Sequence, residues 1–325
     1  MNPFAKVGTV SELGEKALIA RVCKNFGSSA ALPPPFGAGD DCALIRSRAL
    51  SENVFATSDA VILGRHFSPD TPPEMAGEKL VKRNASDIAA MGATPFAALA
   101  SSICSPNVSV EWLDGFCRGM GRAAERYGIK IIGGDFASVG GDFFSTHLTL
   151  LGQSGTRPLL RSGAEVGDYI CTTGALGASF ESGHHLTFEP RLKEGLFLAA
   201  DNAVSACMDI SDGLASDLKC LLPPHSCAEI FADNLPLRKF GGKTATVTQA
   251  MCDGEDYELV FAYRGSRGRL DGFLRSFEAE LGHSAYAIGR IAEPRRAGEK
   301  GALVLVSDGI RNAFESGGFD HYVAR

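Results

Sequence analysis

Acidic residues stand beside glycine, serine or threonine at six places in this chain of 325 residues. They are GDD (Asp40, Asp41), TSD (Thr57, Ser58, Asp59), NASD (Asn84, Ser86, Asp87), GGD (Gly133, Gly134, Asp135), DISD (Asp209, Ser211, Asp212) and DGEDYE (Asp253, Glu255, Asp256, Glu258). Carboxylate oxygens on tight turns are hard ligands of the kind Mg2+ takes, and Mg2+ accepts phosphate oxygens alongside them. Glycine lets a backbone come close to a phosphate. Together these residues suit a nucleotide triphosphate held by several cations, which would neutralise charge during phosphoryl transfer. Each acid also has an ordinary reading. Asp41 and Asp135 can be turn or loop residues, and Asp212 can cap the helix that follows it. Asp87 lies inside a helical pattern, where a carboxylate is disfavoured unless exposed or bound. His66 and Arg161 fall in loops, and the arginine can contact a phosphate.

The elements that must carry these groups read as alternating strands and helices. Helical periodicity covers 11–25, 74–93, 110–128, a segment near 193–206, the residues after Asp212, and 268–281. Strands are expected over 53–62, 97–104, 129–135 (short and buried), 142–152, 169–174, 208–210, 257–263 and 285–291, with a turn running into a strand over 37–45. The order fits α/β of the α+β layer type better than a doubly wound parallel sheet. A polar passage over 157–168 puts the domain boundary near 155, giving domains 1–155 and 156–325. TTGALGAS (172–179) is glycine-rich after a strand, but no GxxxxGK[ST] motif occurs. The HRD and DFG motifs of protein kinases are missing too. If ATP is used, it is used by other means.

Composition narrows the class. Hydrophobic residues are 45% and charged residues 22%, ordinary for a soluble protein. A net charge of −6 argues against a general nucleic-acid binder. The nine cysteines form no CxxC pair, so neither a zinc site nor a disulfide framework is expected. Scattered thiols, the lack of a signal-peptide core and the lack of a long apolar run predict a cytoplasmic protein with no membrane span.

Nine segments in order carry a resemblance: GDDCALI (39–45), TSDAVILGRHF (57–67), NASDIAAMGATP (84–95), IIGGD (131–135), RSGAEVGD (161–168), MDISDGLASDL (208–218), GEDYEL (254–259), IGRI (288–291) and GFDHY (318–322). The chain resembles the thiamine-monophosphate kinase family of the aminoimidazole-ribonucleotide synthetase superfamily. The resemblance implies an N-terminal α/β domain whose sheet pairs with that of a second subunit into a barrel-like homodimer core, and a C-terminal α/β domain beside it. It implies transfer of the γ-phosphoryl group of ATP to thiamine monophosphate with several Mg2+ ions. Carried over, Asp41, Asp59, Asp87, Asp135, Asp209 and Asp212 match metal-binding acids, and Thr57 and Ser58 match further metal contacts. Gly134, Asp135, Arg161 and Ser211 match nucleotide-contacting positions. His66, Glu255 and Phe319 match positions that hold the thiamine phosphate. Of these, Asp41, Asp59, Asp87, Asp135 and Asp212 are the expected catalytic set.

This chain departs from the family pattern at several points. Phe136 follows GGD, where threonine is usual. Asp253 replaces a glycine, and Arg65 precedes His66. The segment KLVKRNASD is more basic and less apolar than usual, with Ala85 in place of leucine. Two other readings are therefore kept: a paralogous ATP-dependent enzyme acting on another small phosphorylated substrate, and a nucleotide-binding protein without turnover.

Overall fold

The structure, a computed structural model, describes Ala17 and residues 34–36, 40–45 and 53–314. The helix expected over 11–25, apart from Ala17, and the GFDHY segment with Phe319 lie outside the described residues.

The first sheet has the order β1-β2-β5-β3-β4. Its strands are β1 (Ala43–Ile45), β2 (Asn53–Ile62), β3 (Thr94–Cys104), β4 (Lys130–Ser138) and β5 (Phe144–Ser154). All neighbours are antiparallel except β3 and β4, which run parallel. A parallel pair needs a crossover. Between these two strands helix α2 (Val110–Arg126) provides it, after helix α1 (Pro73–Ala90) has linked β2 to β3. α1 starts on a proline, whose missing N–H costs nothing in a first turn. α2 is capped by Ser109, whose hydroxyl accepts from the Trp112 N–H at 3.3 Å. Both helices pack on one face of the sheet around Phe55, Val61, Ile88, Phe116, Leu148 and Leu150.

The second sheet has the order β14-β13-β8-β12-β6-β11-β7. Its strands are β6 (Tyr169–Thr172), β7 (Val204–Asp209), β8 (Cys227–Phe231), β11 (Leu259–Tyr263), β12 (Tyr286–Ala292), β13 (Leu303–Ser307) and β14 (Ile310–Phe314), while β9 (Lys239–Phe240) and β10 (Lys243–Thr244) form a separate hairpin. Only β8 and β13 pair in parallel. Both faces are covered, so the strands read as apolar runs. On β11, Val260 and Ala262 face a core with Leu214, Leu218 and Met251, whereas Leu259, Phe261 and Tyr263 face a core with Leu198, Phe273 and Phe277. The covering helices are α3 (His184–Thr187), α4 (Leu192–Ala200), α5 (Leu214–Asp217), α6 (Val247–Cys252) and α7 (Arg267–Leu281). This is the α+β layering expected from the sequence, with antiparallel pairs dominant.

Three local expectations change. β4 was expected to be short and buried; it runs to Ser138 and is exposed along its length, because it is the edge of its sheet. The helix near 193–206 ends at Ala200, and β7 starts at Val204. The apolar pattern after Asp212 makes only one α turn and then a 3-10 turn, Leu218–Leu221. Pro223 and Pro224 follow and prevent its continuation.

α1 and α2 touch backbone to backbone. A Cβ on Gly119 would lie 2.0 Å from the Glu74 carbonyl oxygen, and one on Gly77 2.0 Å from that of Phe116. Gly119→Ala is expected to destabilise the protein by about 1–3 kcal/mol through forced separation of the helices. A urea midpoint unchanged by this substitution would contradict that contact.

Candidate active site

Three carboxylates from three segments meet where the two sheets' layers adjoin. Asp41 precedes β1, Asp87 lies in the last turn of α1, and Asp209 ends β7. One oxygen of each lies within 4.8 Å of the others, with Asp41 and Asp209 buried and Asp87 half-buried. β2 runs beside α1. The Thr57 hydroxyl donates to Asp87 Oδ2 at 2.5 Å, and the Asp59 N–H donates to Asn84 Oδ1 at 3.0 Å. Ser86 donates to Asp209 Oδ2 at 2.7 Å and so ties α1 to β7. Arg161 grips Asp41 with two bonds, 3.1 Å from Nε and 2.9 Å from Nη2, and its backbone N–H donates to Asp40 at 2.7 Å.

Such a cluster is electrostatically uncomfortable. Burial first, then repulsion from Asp59 and Asp209, holds Asp87 well above the usual carboxylate range. Asp209 is pushed up to about 8 by burial and by Asp41, against the lowering effect of Ser86 and Arg161. Asp40 rises to about 6, mainly by burial. Carboxylates this close cannot all ionise without a compensating charge. The donor set, all hard oxygen with a threonine hydroxyl alongside, fits a divalent cation such as Mg2+.

A small pocket adjoins the cluster. Arg65, His66, Arg83, Phe180, Ser211, Asp212, Asp253, Glu255 and Tyr257 line it. His66 is buried, and its Nδ1 accepts the Ile62 N–H at 3.0 Å. In the neutral ring the proton then sits on Nε2, where it can be donated. Lys79, fully buried on α1, pairs with Glu255 and donates to the His66 carbonyl at 2.7 Å. Glu255 and Tyr257 adopt left-handed backbone angles, φ 55° and 50°. Such angles are costly for non-glycine residues and gather where function constrains the chain.

Other predicted site residues are distributed unevenly. Ser58 is exposed and accepts from Thr149 at 3.2 Å. Alternation along β2 turns its side chain to the face opposite Thr57 and Asp59. Asp135 pairs in register with Ser101 on the exposed edge strand β4 and is not part of the three-carboxylate cluster. Gly134 precedes it on that strand. Asp212 does not cap α5, because Gly213 holds the cap position at φ 104°. Ser211 and Asp212 instead donate their N–H groups to Asp217 Oδ2, at 3.0 and 2.9 Å. Asp253, a departure from the family pattern, accepts from the Ala178 N–H at 2.9 Å and so anchors the loop over 176–180.

Sequence reasoning passed over Lys79, Arg83 and Asp217. The first two were legible in principle, since both precede Asp87 at multiples of four on one helix face. Asp217 lay in the DISDGLASD stretch, but nothing in its spacing distinguishes an acceptor of backbone N–H groups from a solvated acid.

These acids, brought together from the turn before β1, from α1 and from β7, define a candidate cation-binding class of site. Residues 39–153 match the family model "AIR synthase related protein, N-terminal domain". The thiamine-monophosphate kinase of Salmonella typhimurium is 32% identical, over 95% of this chain and 98% of its own length. The solved structure of AaThiL complexed with AMPPCP and TMP superposes with a TM-score of 0.78 at 26% identity, covering 98% of this chain and 100% of that one. The thiamine-monophosphate kinase structure from Stenotrophomonas maltophilia gives a TM-score of 0.66 at 29% identity, covering 90% and 96%. The chain belongs to the thiamine-monophosphate kinase family. Among the described residues, no helix is long and apolar enough to cross a membrane.

The titration of Asp209 has a definite sign. Its folded value of about 8 exceeds the ordinary 3.8, so the folded state keeps a proton that the unfolded chain gives up. That stabilisation is present at low pH and is lost as the pH rises through the folded value. The Tm of the metal-free protein is expected to fall between about pH 6 and about pH 8, and the Asp209→Asn variant to fall less. Scanning calorimetry across that range, with parallel slopes for both proteins, would refute the assignment.

Proposed function

We propose that this chain transfers the γ-phosphoryl group of ATP to thiamine monophosphate, giving thiamine diphosphate and ADP. The observation that carries the reading is the meeting of Asp41, Asp87 and Asp209 beside a pocket lined by His66 and Glu255, with Lys79 paired to Glu255 from behind. Family relatives named for thiamine monophosphate, and the relative solved with AMPPCP and TMP, supply the identities of acceptor and nucleotide.

In this reading an oxygen of the acceptor's phosphate attacks the γ-phosphorus of ATP. A new P–O bond forms there as the bond to the β-bridging oxygen breaks, and ADP leaves. The attacking phosphate is already ionised near neutral pH, so no strong base is required. The difficulty is repulsion between two anions, and the protein's task is positioning and charge neutralisation. Asp41, Asp87 and Asp209 would hold Mg2+, with Thr57, Asp59, Asp135 and Asp212 completing the set and Ser58 contributing through its backbone. The chemistry such a cation would supply is neutralisation of the charge on the phosphate groups. Gly134, Arg161 and Ser211 would contact the nucleotide. His66 would donate from Nε2 toward the acceptor, with Glu255 and Phe319 also contacting it. Asp217 would hold the Ser211–Asp212 turn in place.

We read residues 1–155 as the nucleotide, metal and dimerisation domain and 156–325 as its C-terminal companion, in a cytoplasmic enzyme. The homodimer reading has support in β3 and β4, where Leu99, Ile103, Ile131, Ile132 and Phe136 are exposed. An exposed edge strand of this kind invites pairing with a second copy. Sedimentation is expected to give a dimer for the unaltered protein and a lower mass for Ile132→Asp, and a monomer for the unaltered protein would overturn the homodimer reading.

The main test is phosphorus NMR with ATP, Mg2+ and thiamine monophosphate. One ADP per thiamine diphosphate is expected, and Asp87→Asn should reduce kcat by roughly a hundredfold or more while the protein stays folded. Consumption of ATP without thiamine diphosphate would move the assignment to a paralogous activity. Binding of ATP with no turnover would favour a non-catalytic protein.

A further inference from the structure

Helix α1 carries a cation that the scheme above leaves without a task. Arg83 lies four residues after Lys79 and four before Asp87, so the three share one face. It is 8% exposed. Its Nη1 donates to the Ala60 carbonyl at 2.5 Å, and its Nη2 lies 3.3 Å from Asp59 Oδ2. Its Nε is buried and, among the described residues, has no hydrogen-bond partner. The same side chain lines the pocket with His66, Asp212, Asp253 and Glu255.

A buried donor of a charged group left unpaired is costly, and such groups call for an explanation. Neutralising Asp59 is not a sufficient one, because a single ammonium would do that. With Nη1 and Nη2 already engaged by the Ala60 carbonyl and by Asp59, Nε is the donor left for a phosphate oxygen. The pocket also needs a cation. Three acids line it, Asp212, Asp253 and Glu255, against two arginines, Arg65 and Arg83, and of the two only Arg83 stands on a packed helix. Arg83 supplies positive charge at the boundary between the pocket and the metal-binding acids.

We propose that Arg83 binds the phosphate of the acceptor directly, so that the acceptor is held in its pocket without a divalent cation. This rests on the reading of the pocket as the thiamine monophosphate site and adds a residue to it. The chain would then divide two charge tasks: carboxylates for the cation and nucleotide, a guanidinium for the acceptor.

The test is calorimetric titration in EDTA without nucleotide, using thiamine monophosphate and, as the probe lacking the phosphate, thiamine. The unaltered protein is expected to prefer the monophosphate roughly tenfold or more, the scale of a charge-assisted contact. R83M should remove that preference while leaving thiamine affinity unchanged, and R83K should recover part of it. The double variant D59N/R83M restores the charge balance. If it regains the preference, Arg83 acts only on Asp59 and the direct contact is overturned. An unaltered protein that takes up the acceptor only after Mg2+ and AMPPCP are added also overturns the proposal, but leaves phosphoryl transfer to thiamine monophosphate intact. Absence of that transfer under full turnover conditions removes the acceptor reading itself, and this proposal with it.

Discussion

Mutual repulsion among Asp41, Asp87 and Asp209 is the constraint that organises this molecule. Three acids with oxygens within 4.8 Å would not converge unaided. The fold forces them together and surrounds them with partial remedies: the Arg161 fork on Asp41, the Thr57 hydroxyl on Asp87, the Ser86 hydroxyl on Asp209. These contacts do not offset the whole cost, and burial, then repulsion from Asp41, holds Asp209 above the usual carboxylate range. A bound cation would relieve the residual imbalance, and stability given up in the empty state would return as binding energy.

Helix α1 is the element that makes the convergence possible. Ala85 and Ile88 lie in the core of the first sheet, while Ala90 lies in a core of the second. The helix therefore belongs to both layers. Glu74 and Glu78 pair with Arg118 and Arg122 on α2, while several of its other polar groups reach across to the second layer. Lys79 reaches Glu255, Ser86 reaches Asp209, and Lys82 donates to the Leu186 carbonyl at 2.7 Å. A helix held on several sides cannot roll, so the acid it presents is fixed in direction.

Much of this was legible beforehand, and the misses have physical causes. The acid-bearing turns were readable because carboxylates beside glycine and serine mark a chemistry, and the mixed α/β order followed from strand and helix periods. The meeting of Asp41, Asp87 and Asp209 was not readable, since their separation along the chain says nothing about distance in space. Ser58 could have been assigned to the far face from the strand period alone. The burial of β4 was misjudged because its apolar residues look the same whether a strand is central or at an edge. The helix after Asp212 was overextended because its leucine pattern outweighed Pro223 and Pro224. Arg83 went unnoticed because a basic residue in a helix is ordinarily read as solvated.

The acids and the neighbouring pocket are built largely from different material. Asp87 and Asp209 stand on a helix and a strand, whereas the pocket, apart from Arg83 on α1, is walled by residues of connecting segments such as Arg65, His66, Phe180, Asp253 and Glu255. Segments of that kind tolerate change that packed elements do not. A lineage could therefore exchange its pocket walls while inheriting the phosphate-handling centre intact. The scaffold is in that sense a reusable chassis, with the choice of customer written into its loops.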